Sequence, residues 1–136
     1  MNKSSRRSFI TESGKAAIAG TLILAANNTQ QKEMKDMFIH HVYFWLKNAG
    51  SKEDLDKLTA GLKKLSAVKT IKQFYIGKPA DTNRDVIDRS YAVSWLVFFD
   101  NGTDQASYQT DPIHLKFVED CSFLWEKVIV YDSVGI

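Results

Sequence analysis

Two residues near the end of the chain combine the chemistry of a base and a hydrogen-bond donor. They lie in the segment Tyr108-Gln109-Thr110-Asp111-Pro112-Ile113-His114. Asp111 followed by Pro112 predicts a helix start, with Asp as N-cap and Pro at the first position. His114 then falls in the first helical turn. The positive helix end disfavours an imidazolium there, so its pKa should fall. A neutral imidazole near pH 7 can take a proton. Tyr108 lies just before the helix break, where its hydroxyl could polarise a carbonyl or steady an enolate. A purely structural pair, with His114 bonded to backbone and Tyr108 packing, stays open on the residues alone.

The chain has only two other histidines, His40 and His41, in the run Phe38-Ile39-His40-His41-Val42-Tyr43-Phe44-Trp45-Leu46. The run reads as a strand, so alternate residues share a face. Phe38, His40, Val42 and Phe44 form one face, and Ile39, His41, Tyr43 and Trp45 the other. His41, Tyr43 and Trp45 are taken as candidate ligand contacts inside a barrel, with a satisfied core histidine as the alternative for His41. His40 points the opposite way and is read as structural. Only His41 and His114 are expected to converge, with no Cys or acid at ligand spacing, so no metal site is expected. No cofactor is expected either. Asp81, Asp85 and Asp88 lack the calcium-loop pattern. The single Cys121 excludes an internal disulfide.

Positioning these residues requires a definite set of elements. Ser51-Lys52-Glu53-Asp54 resembles a capping box, and Leu55, Leu58, Leu62 and Leu65 follow at helical spacing. Strands are predicted over 70–78, 90–100 and 125–134, with a polar loop over 80–89. A short helix is expected over 103–110, then the helix opened by Asp111, with Ile113, Phe117 and Cys121 on one side. Phe44, Trp95, Phe98, Phe99, Phe117, Phe123 and Trp125 are expected mostly in the core. The order is βαββαβ, the α+β ferredoxin-like arrangement of an antiparallel sheet with helices on one face. The first and third strands are apolar on both faces, so the open face needs cover. A second copy is the simplest cover, giving a dimeric α/β barrel.

With the elements in view, residues 37–136 resemble the stress-responsive dimeric A/B barrel family. The opening strand to Lys47, the segment from Tyr108 to His114, and Trp125-Glu126-Lys127-Val128-Ile129-Val130-Tyr131-Asp132 carry the likeness. Pro112-Ile113-His114 is its specific part. Within the family the closing half is similar to the plant polyketide cyclases that form olivetolic acid. That resemblance implies a catalytic pair at His114 and Tyr108 and a further pocket histidine at His41. It departs at Asp111, where a histidine is frequent, and at Tyr43 and Trp45, which replace aliphatic residues.

The N-terminus carries a different signal. Ser5-Arg6-Arg7-Ser8-Phe9-Ile10 precedes a mildly apolar run, Ala16 to Ala26, and resembles a twin-arginine export signal. Residues 1–26 are expected to be that signal, 27–36 a linker and 37–136 the working domain, acting in the periplasm or outside the cell. The chain has 18 Lys plus Arg and 16 Asp plus Glu. Removing Lys3, Arg6, Arg7, Lys15 and Glu12 leaves 14 against 15, a net of −1. Such a domain offers no electrostatic case for nucleic acid or, once the signal is gone, for a membrane.

The expected function is binding of a small hydrophobic or aromatic carbonyl compound by a homodimer, with His/Tyr acid–base chemistry of the cyclase or lyase type. The alternatives are a non-catalytic stress-response or ligand-binding dimer and a cofactorless monooxygenase.

Overall fold

A computed structural model describes residues 33–136, and the fold occupies Met34–Ile136. The expected export signal and most of the expected linker lie outside the described residues. The elements are β1 (Phe38–Leu46), α1 (Lys52–Leu65), β2 (Gln73–Gly77), β3 (Val93–Phe99), α2 (Gly102–Thr110), α3 (Pro112–Cys121), a 3-10 turn at Ser122–Leu124, and β4 (Trp125–Val134). The four strands form one sheet in the order β2-β3-β1-β4, and every neighbouring pair is antiparallel. This is the ferredoxin-like α+β fold expected from the element order. β2 and β3 are shorter than their apolar runs suggested, because Thr70 to Lys72 and Ser90 to Ala92 precede the ladder.

Each helix begins where a side chain satisfies its first free N–H groups. Ser51 Oγ accepts from Asp54 N at 3.2 Å. The reciprocal half of the capping box is absent: Asp54 accepts instead from Asn48 Nδ2 at 2.9 Å, and Ser51 N donates to Asn48 O. Asn101 caps α2 through Asp104 N at 2.8 Å.

One sheet face is sealed by the helices. β1 buries His40, Val42, Phe44 and Leu46 on that side, and β3 buries Val93, Trp95, Val97 and Phe99. From the helices, Leu58, Leu62, Leu65, Tyr108, Phe117 and Cys121 pack down onto them. At the α1–α3 crossing, Gly61 lies so near Cys121 that an added Cβ would sit 2.5 Å from its Sγ. Leu55 and Ile113 are less buried than their spacing implied, Ile113 facing the cleft between the two helices. Phe123 departs from the core expectation altogether: in the 3-10 turn its ring is 60% exposed.

The other sheet face carries Ile39, His41, Tyr43 and Trp45 of β1, flanked in register by Leu96 and Phe98 of β3 and by Ile129 and Tyr131 of β4. No helix covers it. Antiparallel sheets with one solvated face usually alternate apolar with polar residues, and this one does not.

Candidate functional site

Pro112 decides how the site is built. It pushes Asp111 out of the helical region, to φ −62° and ψ 136°, so α2 stops and α3 restarts in a new direction. Asp111 turns its side chain back to accept from Ile113 N at 2.8 Å. Ile113 N would otherwise bond the carbonyl of Gln109, which is thereby left for another donor. His114 takes it, with Nδ1 3.0 Å from Gln109 O. A carbonyl oxygen only accepts, so Nδ1 carries the proton and the lone pair is on Nε2.

The same break brings Tyr108, on the last turns of α2, beside His114. Their ring centroids are 4.7 Å apart. Tyr108 is 1% exposed and its hydroxyl oxygen accepts from Trp95 Nε1 at 3.2 Å. Burial pushes its pKa up to about 12, against the opposing indole bond, so the phenol stays protonated. With the oxygen's lone pair engaged by Trp95, the O–H remains a donor.

Burial also lowers the His114 pKa and is the main cause; the Gln109 bond works against it, and His40 adds to the lowering. Burial, and not the helix end expected above, thus leads the lowering.

The third member is His40, which the sequence reading set aside as structural. It is 4% exposed, on the helix-facing side of β1, with its ring centroid 5.7 Å from that of Tyr108. Its Nδ1 is 2.6 Å from Asp132 Oδ1, directly across the ladder on β4. His40, Tyr108 and His114 share a cavity of 150 Å³ with Trp95, Phe117 and Val130 among its apolar walls. His41, expected to converge with His114, lies on the opposite face of the sheet.

Tyr43 and Trp45 line a separate groove of 330 Å³ on that open face, with Tyr91, Tyr131, Lys127 and Asp88. Trp45 Nε1 donates to Ser90 Oγ at 3.0 Å, and Lys127 Nζ sits 4.5 Å above the Trp45 ring. The Tyr43 hydroxyl is 3.2 Å from His41 Nδ1. The predicted residues thus divide: Tyr108 and His114 on one side of the sheet, His41, Tyr43 and Trp45 on the other. A roomier cleft of 520 Å³ lies outside, between α1 and α3, and holds neither histidine nor tyrosine. Among the described residues no cluster of three His, Cys, Asp or Glu side chains could hold a metal ion, and no helix is long and apolar enough to cross a membrane.

An antiparallel four-stranded sheet, a single layer of helices on one face and a His/Tyr cavity beneath them define a class. The chain belongs to the stress responsive A/B barrel domain family, whose model matches residues 38–134. A member of that family from Mesorhizobium loti, with a ferredoxin-like fold, is similar at 25% identity and a TM-score of 0.62, covering 74% of this chain and 97% of its own. The hydroxynitrile lyase of Passiflora edulis superposes with a TM-score of 0.62 at 20% identity, over 75% of this chain and 95% of its own. A dimeric ferredoxin-like protein from Bacteroides fragilis does so with a TM-score of 0.57 at 19% identity, over 74% and 97%. No curated protein matches the chain.

Proposed function

We propose that the chain works as an exported homodimer that binds a small hydrophobic or aromatic carbonyl compound and removes a proton next to its carbonyl. The observation that carries this reading is the pairing, in one cavity, of a histidine whose tautomer is fixed with a phenol whose O–H is unspent. His114 Nε2 takes the proton from carbon. Tyr108 donates its O–H to the carbonyl oxygen, where negative charge gathers as the enolate forms. His40, held by Asp132, adds a second imidazole to the wall. A dry cavity of about 150 Å³ holds a molecule of benzene's size, so the volume suits one ring or a short chain. Cyclisation, isomerisation or lyase-type cleavage would then follow from the enolate. A lyase among the fold's relatives and the likeness to polyketide cyclases keep both outcomes in view.

In this reading a second copy covers the open face. Tyr43, Trp45 and His41 then lie inside the barrel, and any ligand contact they make is made there and not at His114. The cavity's own residues need no metal or cofactor for the proton transfer described.

The test is a thermal-shift screen with small phenolic, keto-acid and lactone compounds, run beside His114→Ala. A compound that raises the melting temperature of the wild type and not of the variant supports the reading. Absence of any response, with the variant simply melting lower, leaves the non-catalytic dimer in its place.

A further inference from the structure

The open face of the sheet contains one side chain that changes charge between pH 5 and 8. That residue is His41, at the middle of central strand β1. Its neighbours in the ladder are Leu96 on one side and Tyr131 on the other, and neither can balance a positive charge. No strand residue of this face is a carboxylate. The face is also rich in large side chains still open to water, Tyr131 at 63% and Tyr75 at 61%. Apolar surface of this extent marks an interaction site. A two-fold partner presents the same surface in return, so it too brings no strand carboxylate to His41.

We propose that a second copy of the chain covers this face, and that protonation of His41 drives the two copies apart, making the dimer an assembly governed by pH. This rests on the homodimer reading above and extends it to regulation.

The groups around His41 decide the sign. On β1, His40 is adjacent in sequence but turned to the other face, and the Tyr43 hydroxyl is 3.2 Å from His41 Nδ1. From β4 come Tyr131 and Lys127, from β2 Tyr75, and from the loop before β3 Tyr91 and Asp88. A phenol offers an imidazolium no counter-charge, and a lysine beside it adds charge of the same sign. Asp88 is anionic, but it already accepts from Ser90 N at 2.8 Å and lies at the Trp45 end of the face. A neutral His41 can accept the Tyr43 hydroxyl, whereas an imidazolium can only donate to it.

Burial within one copy already lowers the His41 pKa, with the charge of His40 adding to it. Covering the face removes more water and lowers it further. The dimer therefore binds fewer protons than two separate copies. Association is at full strength above the monomer's pKa and weakens as pH falls through it. Two copies of His41 per dimer allow the dissociation constant to rise by up to about 100-fold per pH unit in that window.

Sedimentation equilibrium of the full chain between pH 8 and pH 5 tests this, beside His41→Gln and His41→Phe. The expected result is a wild-type dimer that weakens steeply with acid and variants whose association is flat over the same range. A wild-type dimer indifferent to pH, or variants that dissociate with the same steepness, overturns the inference and assigns any remaining effect to His40 or His114. A monomer at every pH overturns the homodimer reading itself, and the inference with it.

Discussion

Trp95 donates its indole N–H to the hydroxyl oxygen of Tyr108 at 3.2 Å, and both side chains are 1% exposed. The bond joins the centre of the sheet to the end of α2. It also sets which of the phenol's functions remains free. Tyr108→Phe removes the hydroxyl and strands a buried indole N–H, which should cost about 1–3 kcal/mol of stability. Chemical denaturation measures that loss. Trp95→Phe should instead preserve the fold at similar cost and leave the phenol's donor intact, so any turnover should fall far more in Tyr108→Phe. Equal loss in both would remove Tyr108 from the chemistry.

The His114 pKa sits below the ordinary histidine value, chiefly through burial. The base is therefore the neutral form over a wider range than a free imidazole, whose pKa is about 6.5. Any activity that depends on it should hold as pH falls past neutrality and decline only with a midpoint below about 6.5. Stability should move in the same direction. The unfolded chain takes up a proton that the folded site resists, so folding weakens as pH drops through the unfolded value. NMR titration of the imidazole reads the midpoint directly. His114→Ala should lower a true base-catalysed rate by about 10²- to 10⁴-fold.

Asp132 accepts from a histidine that is almost entirely buried. Asp132→Ala leaves His40 Nδ1 without its acceptor, and the expected cost is about 1–3 kcal/mol. Asp132→Asn retains an oxygen acceptor and should recover most of that loss. Thermal melts of the two variants side by side make the comparison. Identical melting would mean that Asp132, half-exposed as it is, contributes nothing to holding the ring.

Gly61 allows α1 to press against α3. A Cβ at this position would sit 2.5 Å from Cys121 Sγ and 3.3 Å from the Phe117 ring. Gly61→Ala should destabilise the fold by about 1–3 kcal/mol despite alanine's better helix propensity. Combining it with Cys121→Ala removes the nearest obstacle, so the double variant should be more stable than the sum of the singles. Additive losses would show that the Phe117 ring, and not the sulfur, sets the spacing.

Export is tested at the other end of the chain. Replacing the pair with Arg6→Lys and Arg7→Lys keeps the charge and should strand the protein in the cytoplasm if the twin-arginine route carries it. Cell fractionation with an antibody to the folded domain reports the outcome. Unchanged export would assign the segment to another route.

Most of the architecture was legible because local rules and burial agreed. Asp111-Pro112 marked the α2–α3 break to the residue, and the β4 boundaries were readable from composition and turn residues alone. Tyr108 and His114 could be paired because they flank that break. The histidine of β1 could not be assigned in the same way. Both faces of the strand are apolar, so alternation separates His40 from His41 without saying which face the helices cover. The available signal was Asp132. A carboxylate closing the run Val128-Ile129-Val130-Tyr131 requires a partner, and an antiparallel ladder places it across from His40. Phe123 misled for the opposite reason: a 3-10 turn does not continue the face of the helix before it.

Consecutive histidines on one central strand also bear on how the sheet assembles. Shifting β1 by one residue sends every side chain to the opposite face, and in one of the two directions His41 takes the place of His40 opposite Asp132. In that direction Asp132 still meets an imidazole and does not penalise the misalignment. In the other direction Ile39 faces Asp132, and the carboxylate loses the partner it has in His40. The contact that holds His40 in the cavity wall therefore also proofreads strand pairing against slips in that one direction. Losing it should raise the population of chains slipped in that direction during folding, even in a variant whose final structure is intact.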